Sequence, residues 1–215
     1  MSPSIRPSPL LASVRPNLQF DPAEYVAFDD VFVARVMEPT DACVAAMIEG
    51  VGMPDRADRG WIELSSAEHV EDAVSEHATY SYEGRRFVDI DRRQRHEITQ
   101  RLARTVDGEV HDRTEAFGRV AVTGPHSRRL LEAIGLAGDA LAEPGAMERV
   151  EVLEEPVWIA RSDFAGPQGY DLVIPIEMFN AVLAVICSWA VRLELNLLPC
   201  GLEAVERVRS RFGVA

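Results

Sequence analysis

Apolar positions alternate with polar ones along some stretches of this chain and recur every three to four residues along others, and the two periods lay out its elements. Strands are predicted near 31–37, 60–64, 109–113, 118–123, 149–153, 156–162, 169–174 and 194–197, with a hairpin over 77–90. Helices are predicted over 41–49, 66–75, 92–105, 126–134, 176–191 and 201–212. The loop from Gly135 to Met147, with Gly135, Gly138, Pro144 and Gly145, reads as a connector.

A weak internal repeat emerges when Val33–Ile48 is laid over Gly118–Ile134 with Pro39 on Pro125. Each copy is a β-branched run, a proline turn with Asp41 or Ser127 placed to cap, and a helix. Strand hairpins such as Thr79–Ile90 stand between the helical segments, which speaks against a doubly wound parallel sheet. The expected fold class is α+β, with two pseudo-repeated lobes of mixed and antiparallel sheet and helices packed on them. Residues 1–30 read as a flexible or surface-draped arm, because three prolines precede position 16, and residues 31–215 as one domain.

Composition narrows the chemistry. A chain of 215 residues with 47% hydrophobic content can bury a substantial core. Its formal net charge of -13 argues against nucleic acid, which needs clustered cations. All 22 basic residues are arginine, so Schiff-base lysines, a pyridoxal-phosphate anchor and a Walker lysine are excluded. Cys43, Cys187 and Cys200 are widely spaced, which suggests neither a disulfide framework nor a zinc knuckle and fits a reducing cytoplasm. The apolar run Phe179–Val191 is interrupted by Asn180 and Ser188 and is too short for a membrane span. His69, His77, His96, His111 and His126 lack metal-ligand spacing, so no metal is expected.

The last quarter carries the most specific pattern: R-S-D-F-A-G-P-Q-G-Y-D from Arg161 to Asp171, then L-P-C-G-L-E-A-V-E-R-V-R-S-R-F-G from Leu198 to Gly213. It resembles the folate-binding module of the glycine-cleavage T-protein (aminomethyltransferase) family, whose wording is close to R-x-x-Y-T-G-E-x-G-Y-E, followed by P-x-G-L-x-A-x-D-x-L-R-x-E-x-G. The family has pseudo-symmetry of the kind the repeat suggests. The resemblance covers about residues 31–213, and the chain stops where the family continues into a C-terminal barrel domain. A comparable single-domain chain is the gamma subunit of heterotetrameric sarcosine oxidases, which resembles the T-protein fold.

The resemblance implies tetrahydrofolate as cofactor and a small-molecule one-carbon donor as substrate. It places Arg161, Phe164, Gln168, Tyr170 and Arg209 at the cofactor. It also places a proton-managing carboxylate at Asp72, with Glu71 beside it, where the family has a G-G-x-x-D-D-like segment. Two departures stand out: Pro167 replaces the glutamate that grips the pterin, and Arg211 replaces another glutamate. Plainer readings account for the same residues. Ser65 or Ser66 could cap a helix with an acidic first turn, Gly166 and Gly169 could make a tight turn, and Arg209 could belong to a salt-bridged helix surface. Two functions remain open: a tetrahydrofolate-dependent one-carbon (aminomethyl or methyl) transferase or demethylase component, and a non-catalytic subunit of a larger complex. No membrane partner is expected; a homo-oligomer or a heteromeric partner subunit is.

Overall fold

Four layers are stacked through most of the molecule: helix, sheet, sheet, helix. The computed structural model describes residues 5–14, 22–65, 77–136, 141, 143, 145–164 and 168–213. Its elements are β1 (Arg6–Pro7), α1 (Pro9–Val14), β2 (Pro22–Phe28), β3 (Val31–Met37), α2 (Thr40–Glu49), β4 (Val51–Pro54), β5 (Arg59–Leu64), β6 (Ala78–Tyr82) and β7 (Arg85–Asp91). Then follow α3 (Arg95–Thr105), β8 (Val110–Asp112), β9 (Phe117–Thr123), α4 (Ser127–Ala133), β10 (Met147–Val152), β11 (Glu155–Ser162) and β12 (Gly169–Pro175). The chain closes with α5 (Phe179–Arg192), β13 (Leu197–Cys200) and α6 (Leu202–Phe212).

The larger sheet has six strands in the order β10-β11-β12-β9-β4-β13, antiparallel except for the β4–β13 pair. The four-stranded sheet, ordered β6-β7-β5-β8, is wholly antiparallel. A third sheet, β1-β3-β2, lies apart. The strand–proline–helix unit recurs as β3 into α2 and β9 into α4, the two copies of the repeat.

The two-residue period of a strand explains why both larger sheets are buried on both faces. In β12, Tyr170, Leu172 and Ile174 join the main core with α4 and α5, while Asp171 and Val173 face the other way. The helix α5 meets that core through Phe179, Val182, Leu183 and Ile186, a three-to-four spacing that forms one stripe. On the four-stranded sheet, Ile62, Leu64, Val88 and Ile90 pack against Ile98 and Leu102 of α3. Trp61, Tyr80 and Phe87 on its opposite face meet Met147, Ala160 and Val173 of the larger sheet.

The structure departs from the sequence expectations in several places, and its strands β2 and β4 match no predicted element. The N-terminal stretch, expected to be a flexible or surface-draped arm, is folded where it is described: Leu10 and Leu11 are each 1% exposed, anchored in two different cores. Pro9 starts the short helix and Ser8 caps it, accepting from the Leu11 N–H at 3.2 Å, so prolines here initiate order. The strand expected over 194–197 runs from Leu197 to Cys200, because its partner β4 sets the register and Pro199 sits at the sheet edge. The helices expected to begin at 92 and 176 each open with a three-residue 3₁₀ turn instead. The helix expected over 66–75 lies outside the described residues.

Candidate functional site

Where the two larger sheets face each other, the inward positions change from apolar to ionic. Arg119 of β9, Asp171 of β12 and Asp89 of β7 all point into this layer, and Arg56 enters from the loop between β4 and β5. These four side chains are 1–3% exposed. Arg119 donates through both terminal nitrogens to the Asp89 carboxylate, each at 3.1 Å, and reaches Asp171 Oδ2 at 3.3 Å. Arg56 donates to Asp171 Oδ1 at 3.2 Å and to Asp89 Oδ2 at 2.9 Å. Arg59 at the margin adds a bond to Asp89 Oδ1 at 2.7 Å. Guanidinium forks suit this lattice because each serves two carboxylate oxygens at once.

Aromatic rings cap the lattice. The Arg119 guanidinium lies 4.8 Å from the Trp61 ring centre, and that of Arg56 lies 3.5 Å from the Phe164 ring centre. Arg209 of α6 approaches the same Phe164 ring at 5.4 Å. Electrostatics fix the charges. Burial alone would raise the Asp89 carboxyl, but Arg119, Arg56 and Arg59 overcome it and hold the group well below the usual carboxylate range. Burial works against the Arg56 and Arg119 cations, and the two aspartates more than restore them, so both are raised. Tyr80, beside the lattice, is pushed up by burial and by Asp171 and Asp89. Asp89, Arg56 and Arg119 keep fixed charges through neutral pH, which suits orientation and rigidity more than proton transfer.

A second buried carboxylate lies next to this layer. Asp55 is 3% exposed and accepts from the Ser8 hydroxyl and from the Ala57 N–H, the latter at 3.0 Å. Burial dominates there and pushes its carboxyl up to about 6.

The residues singled out from the sequence do not converge on one point. Phe164 and Arg209 meet beside the ionic layer, together with Asp171 of the same motif. Arg161 and Tyr170 are directly paired across β11 and β12 and project from the opposite face. Arg161 stacks over Tyr170 at 5.3 Å and donates to the Gly169 carbonyl at 2.8 Å, holding the hairpin. Gln168 is exposed, and its backbone carbonyl accepts from the Gly124 N–H and from the Thr123 and Ser127 hydroxyls. Asp72, Glu71 and Pro167 lie outside the described residues. Among the described residues no cluster of His, Cys, Asp and Glu could hold a metal, and no helix is long and apolar enough to cross a membrane.

Sequence reasoning missed Arg56, Arg59, Asp89 and Arg119. The signal was available: F-V-D-I-D and G-R-V-A-V-T each place a charge on one face of a strand whose other face is apolar, and the charged run P-D-R-A-D-R-G precedes β5. Such charges inside a strand call for a partner on a facing sheet.

Residues 79–214 match the GCVT N-terminal domain family. The aminomethyltransferase of Bordetella pertussis is 32% identical over 95 residues, which are 44% of this chain and 24% of that protein. That of Staphylococcus epidermidis is 26% identical over 111 residues, 51% of this chain and 28% of that one. The matches thus span about a quarter of the relatives' length. Among solved structures, the glycine cleavage system aminomethyltransferase T from Bartonella henselae superposes with a TM-score of 0.73 at 16% identity, covering 99% of this chain and 64% of that one. A chain of heterotetrameric sarcosine oxidase from Corynebacterium sp. U-96 superposes with a TM-score of 0.50 at 12% identity, covering 71% of this chain and 91% of that one. Both likenesses are likenesses of fold.

Proposed function

Since the chain belongs to the GCVT N-terminal domain family, we propose that it keeps the aminomethyltransferase fold as a non-catalytic subunit of a larger complex. One observation carries this reading. Beside the motif hairpin, the Arg56 guanidinium lies 3.5 Å from the Phe164 ring centre and is ion-paired with Asp171 and Asp89, so the space between the sheets is occupied by buried, ion-paired side chains. Admitting a pterin there would mean displacing a buried arginine and leaving two aspartates short of a partner, a cost of several kcal/mol. The carboxylate that the family aims at the pterin is also replaced by Pro167. The partner is a further protein chain, and the assembly it joins is of the kind exemplified by heterotetrameric sarcosine oxidase.

The test is calorimetry with 5-formyltetrahydrofolate as the probe. The expected result is no saturable heat up to about 1 mM ligand, which corresponds to less than about 4 kcal/mol of binding. A dissociation constant in the micromolar range overturns the reading.

A second reading is favoured by the Arg209–Phe164 contact, which presents a cation and an aromatic face side by side. A folate carries both an aromatic body and an anionic tail, so this pair fits its ends. On that reading the chain is a tetrahydrofolate-dependent one-carbon transferase or demethylase component, with Arg161, Phe164, Gln168, Tyr170 and Arg209 at the cofactor and Asp72 or Glu71 managing the proton. Asp72→Asn and Glu71→Gln, measured side by side, should then cut turnover by about 100-fold in one of the two without loss of folate affinity. No loss in either removes this reading.

A further inference from the structure

A cleft of about 230 Å³ opens on the far side of the ionic layer from Phe164 and Arg209, between the N-terminal segment, the start of β9 and the start of α5. Phe117, Ile176 and Phe179 give it an apolar side, and Arg6, Arg92 and Thr114 line it as well. Its floor holds Arg59 and Arg119. Gly118 is required by this arrangement, since a Cβ there would come within 2.2 Å of the Phe179 ring.

The charges around the cleft divide into a satisfied rim and an incompletely satisfied floor. At the rim, Arg92 and Arg6 share Asp30 and Glu115, and Arg95 behind them joins Asp29 and Glu115. On the floor, Asp89 takes the Arg59 Nε, and Asp89 and Asp171 take both terminal nitrogens of Arg119. The Arg119 Nε, on a side chain 3% exposed, has no hydrogen-bond partner. A buried guanidinium N–H without an acceptor is destabilising, and an anion seated on it removes that cost. Arg59 is 26% exposed and so reachable from solvent.

We propose that this cleft binds a small monocarboxylate with a compact apolar body, its carboxylate on Arg59 and Arg119 and its body between Phe117, Ile176 and Phe179. The floor selects the anion, and the walls select the body. A dianion such as phosphate is disfavoured, because Glu115 at the rim and Asp89 beneath the floor already supply negative charge. The site shares no lining residue with the Phe164–Arg209 pair, so its occupation does not depend on whether folate binds.

Titration calorimetry with sodium benzoate, benzamide and inorganic phosphate tests it at constant ionic strength, on the intact chain. Benzoate should bind saturably in the millimolar range or tighter, and benzamide and phosphate should bind at least about tenfold more weakly, the difference made by one charge-assisted hydrogen-bond pair. Arg59→Gln should weaken benzoate by about tenfold as well. Because that change touches the ionic layer, Ala12→Leu serves as a second variant: Ala12 is exposed on α1 and lines the cleft, so the larger side chain obstructs it without altering any charge. Loss of benzoate binding in Ala12→Leu, with an unchanged melting temperature, supports the site. Equal affinity for benzamide, stronger binding of phosphate, no saturable benzoate heat, or benzoate binding untouched by Ala12→Leu overturns it.

Discussion

Asp89 and Asp55 are both buried carboxylates on neighbouring parts of one fold, and they respond to burial in opposite directions. Asp89 faces three guanidiniums and is held well below the ordinary range. Asp55 faces a hydroxyl and a backbone N–H and rises to about 6. The cost of leaving water is similar for both, so the difference lies in the compensation. Arg119, Arg56 and Arg59 give Asp89 a partner charge on every accessible side, whereas the hydrogen bonds at Asp55 are too few to keep its proton off. The ionic layer between the sheets is therefore a permanent structural element, and the Asp55–Ser8 contact that ties the N-terminal segment to β4 is sensitive to pH.

Removing one member of the paired layer should have the largest effect. Asp89→Asn leaves Arg56 and Arg119 sharing Asp171 and takes the carboxylate partner from Arg59, and breaking a buried pair from one side costs about 3–5 kcal/mol. Urea denaturation at pH 7 measures it. A loss under 1 kcal/mol would mean that solvent already screens this layer, and the contrast with Asp55 would collapse.

Next in size is the hydrophobic share of the N-terminal anchor. Leu10→Ala removes a side chain 1% exposed in the main core and should cost about 2–5 kcal/mol. If the melting curve barely moves, Leu10 is not packed as described, and the N-terminal segment contributes through Leu11 and the Ser8–Asp55 contact.

Much of this fold was legible because burial on both faces and helical stripes leave strong periodic marks. The hairpin of β6 and β7, the strands β11 and β12 and the helix α5 all lie within a few residues of where alternation and three-to-four spacing put them. The N-terminal helix was not legible, since six residues with a proline give no periodicity and only the tertiary cores at Leu10 and Leu11 reveal it. The strand β13 was misplaced because its register comes from β4, far away in sequence. At the candidate site, the motif pointed to Phe164 and Arg209, but the sheet pleat sends Arg161 and Tyr170 to the other face. The arginines of the ionic layer come from two separated segments and the aspartates from two more, and their partnership exists only after the two sheets are stacked.

The pH dependence sharpens the comparison further. A carboxyl whose folded pKa is raised, as for Asp55, gives stability that is present below its unfolded value of 3.8 and lost as pH rises through about 6. Asp89 does the reverse: its stability is present above the unfolded value and lost as pH falls toward its depressed folded value. Between about pH 4 and pH 6 the Asp55 contribution should therefore fall with rising pH, while that of Asp89 is complete by about pH 5 and constant above it. Asp55→Asn should change stability at pH 7 by less than about 1 kcal/mol, because an amide keeps an acceptor without the buried charge, and should flatten the slope in this window. A wild-type and mutant pair with identical slopes from pH 4 to pH 6 would falsify the assignment of Asp55 as the titrating group.

The smallest effect belongs to a solvent-exposed ion pair. Arg128 donates to Glu132 at 2.7 Å, one turn along α4, with the two side chains 41% and 49% exposed. The geometry matches that of the buried pairs, but water solvates both charges whether or not they meet, so the pair contributes about 0.3–0.5 kcal/mol at low salt. Arg128→Gln should lower the melting temperature by a degree or so at most, and added salt of about 0.5 M should erase the difference between variant and parent by screening. The same salt should leave the cost of Asp89→Asn nearly intact, since ions do not reach a layer whose side chains are 1–3% exposed. Measured together, the two variants separate the worth of a charge pair from the worth of its surroundings: equal salt sensitivity in both would show that the space between the sheets is open to solvent, and the rigid, closed ionic layer on which the subunit reading rests would have to be given up.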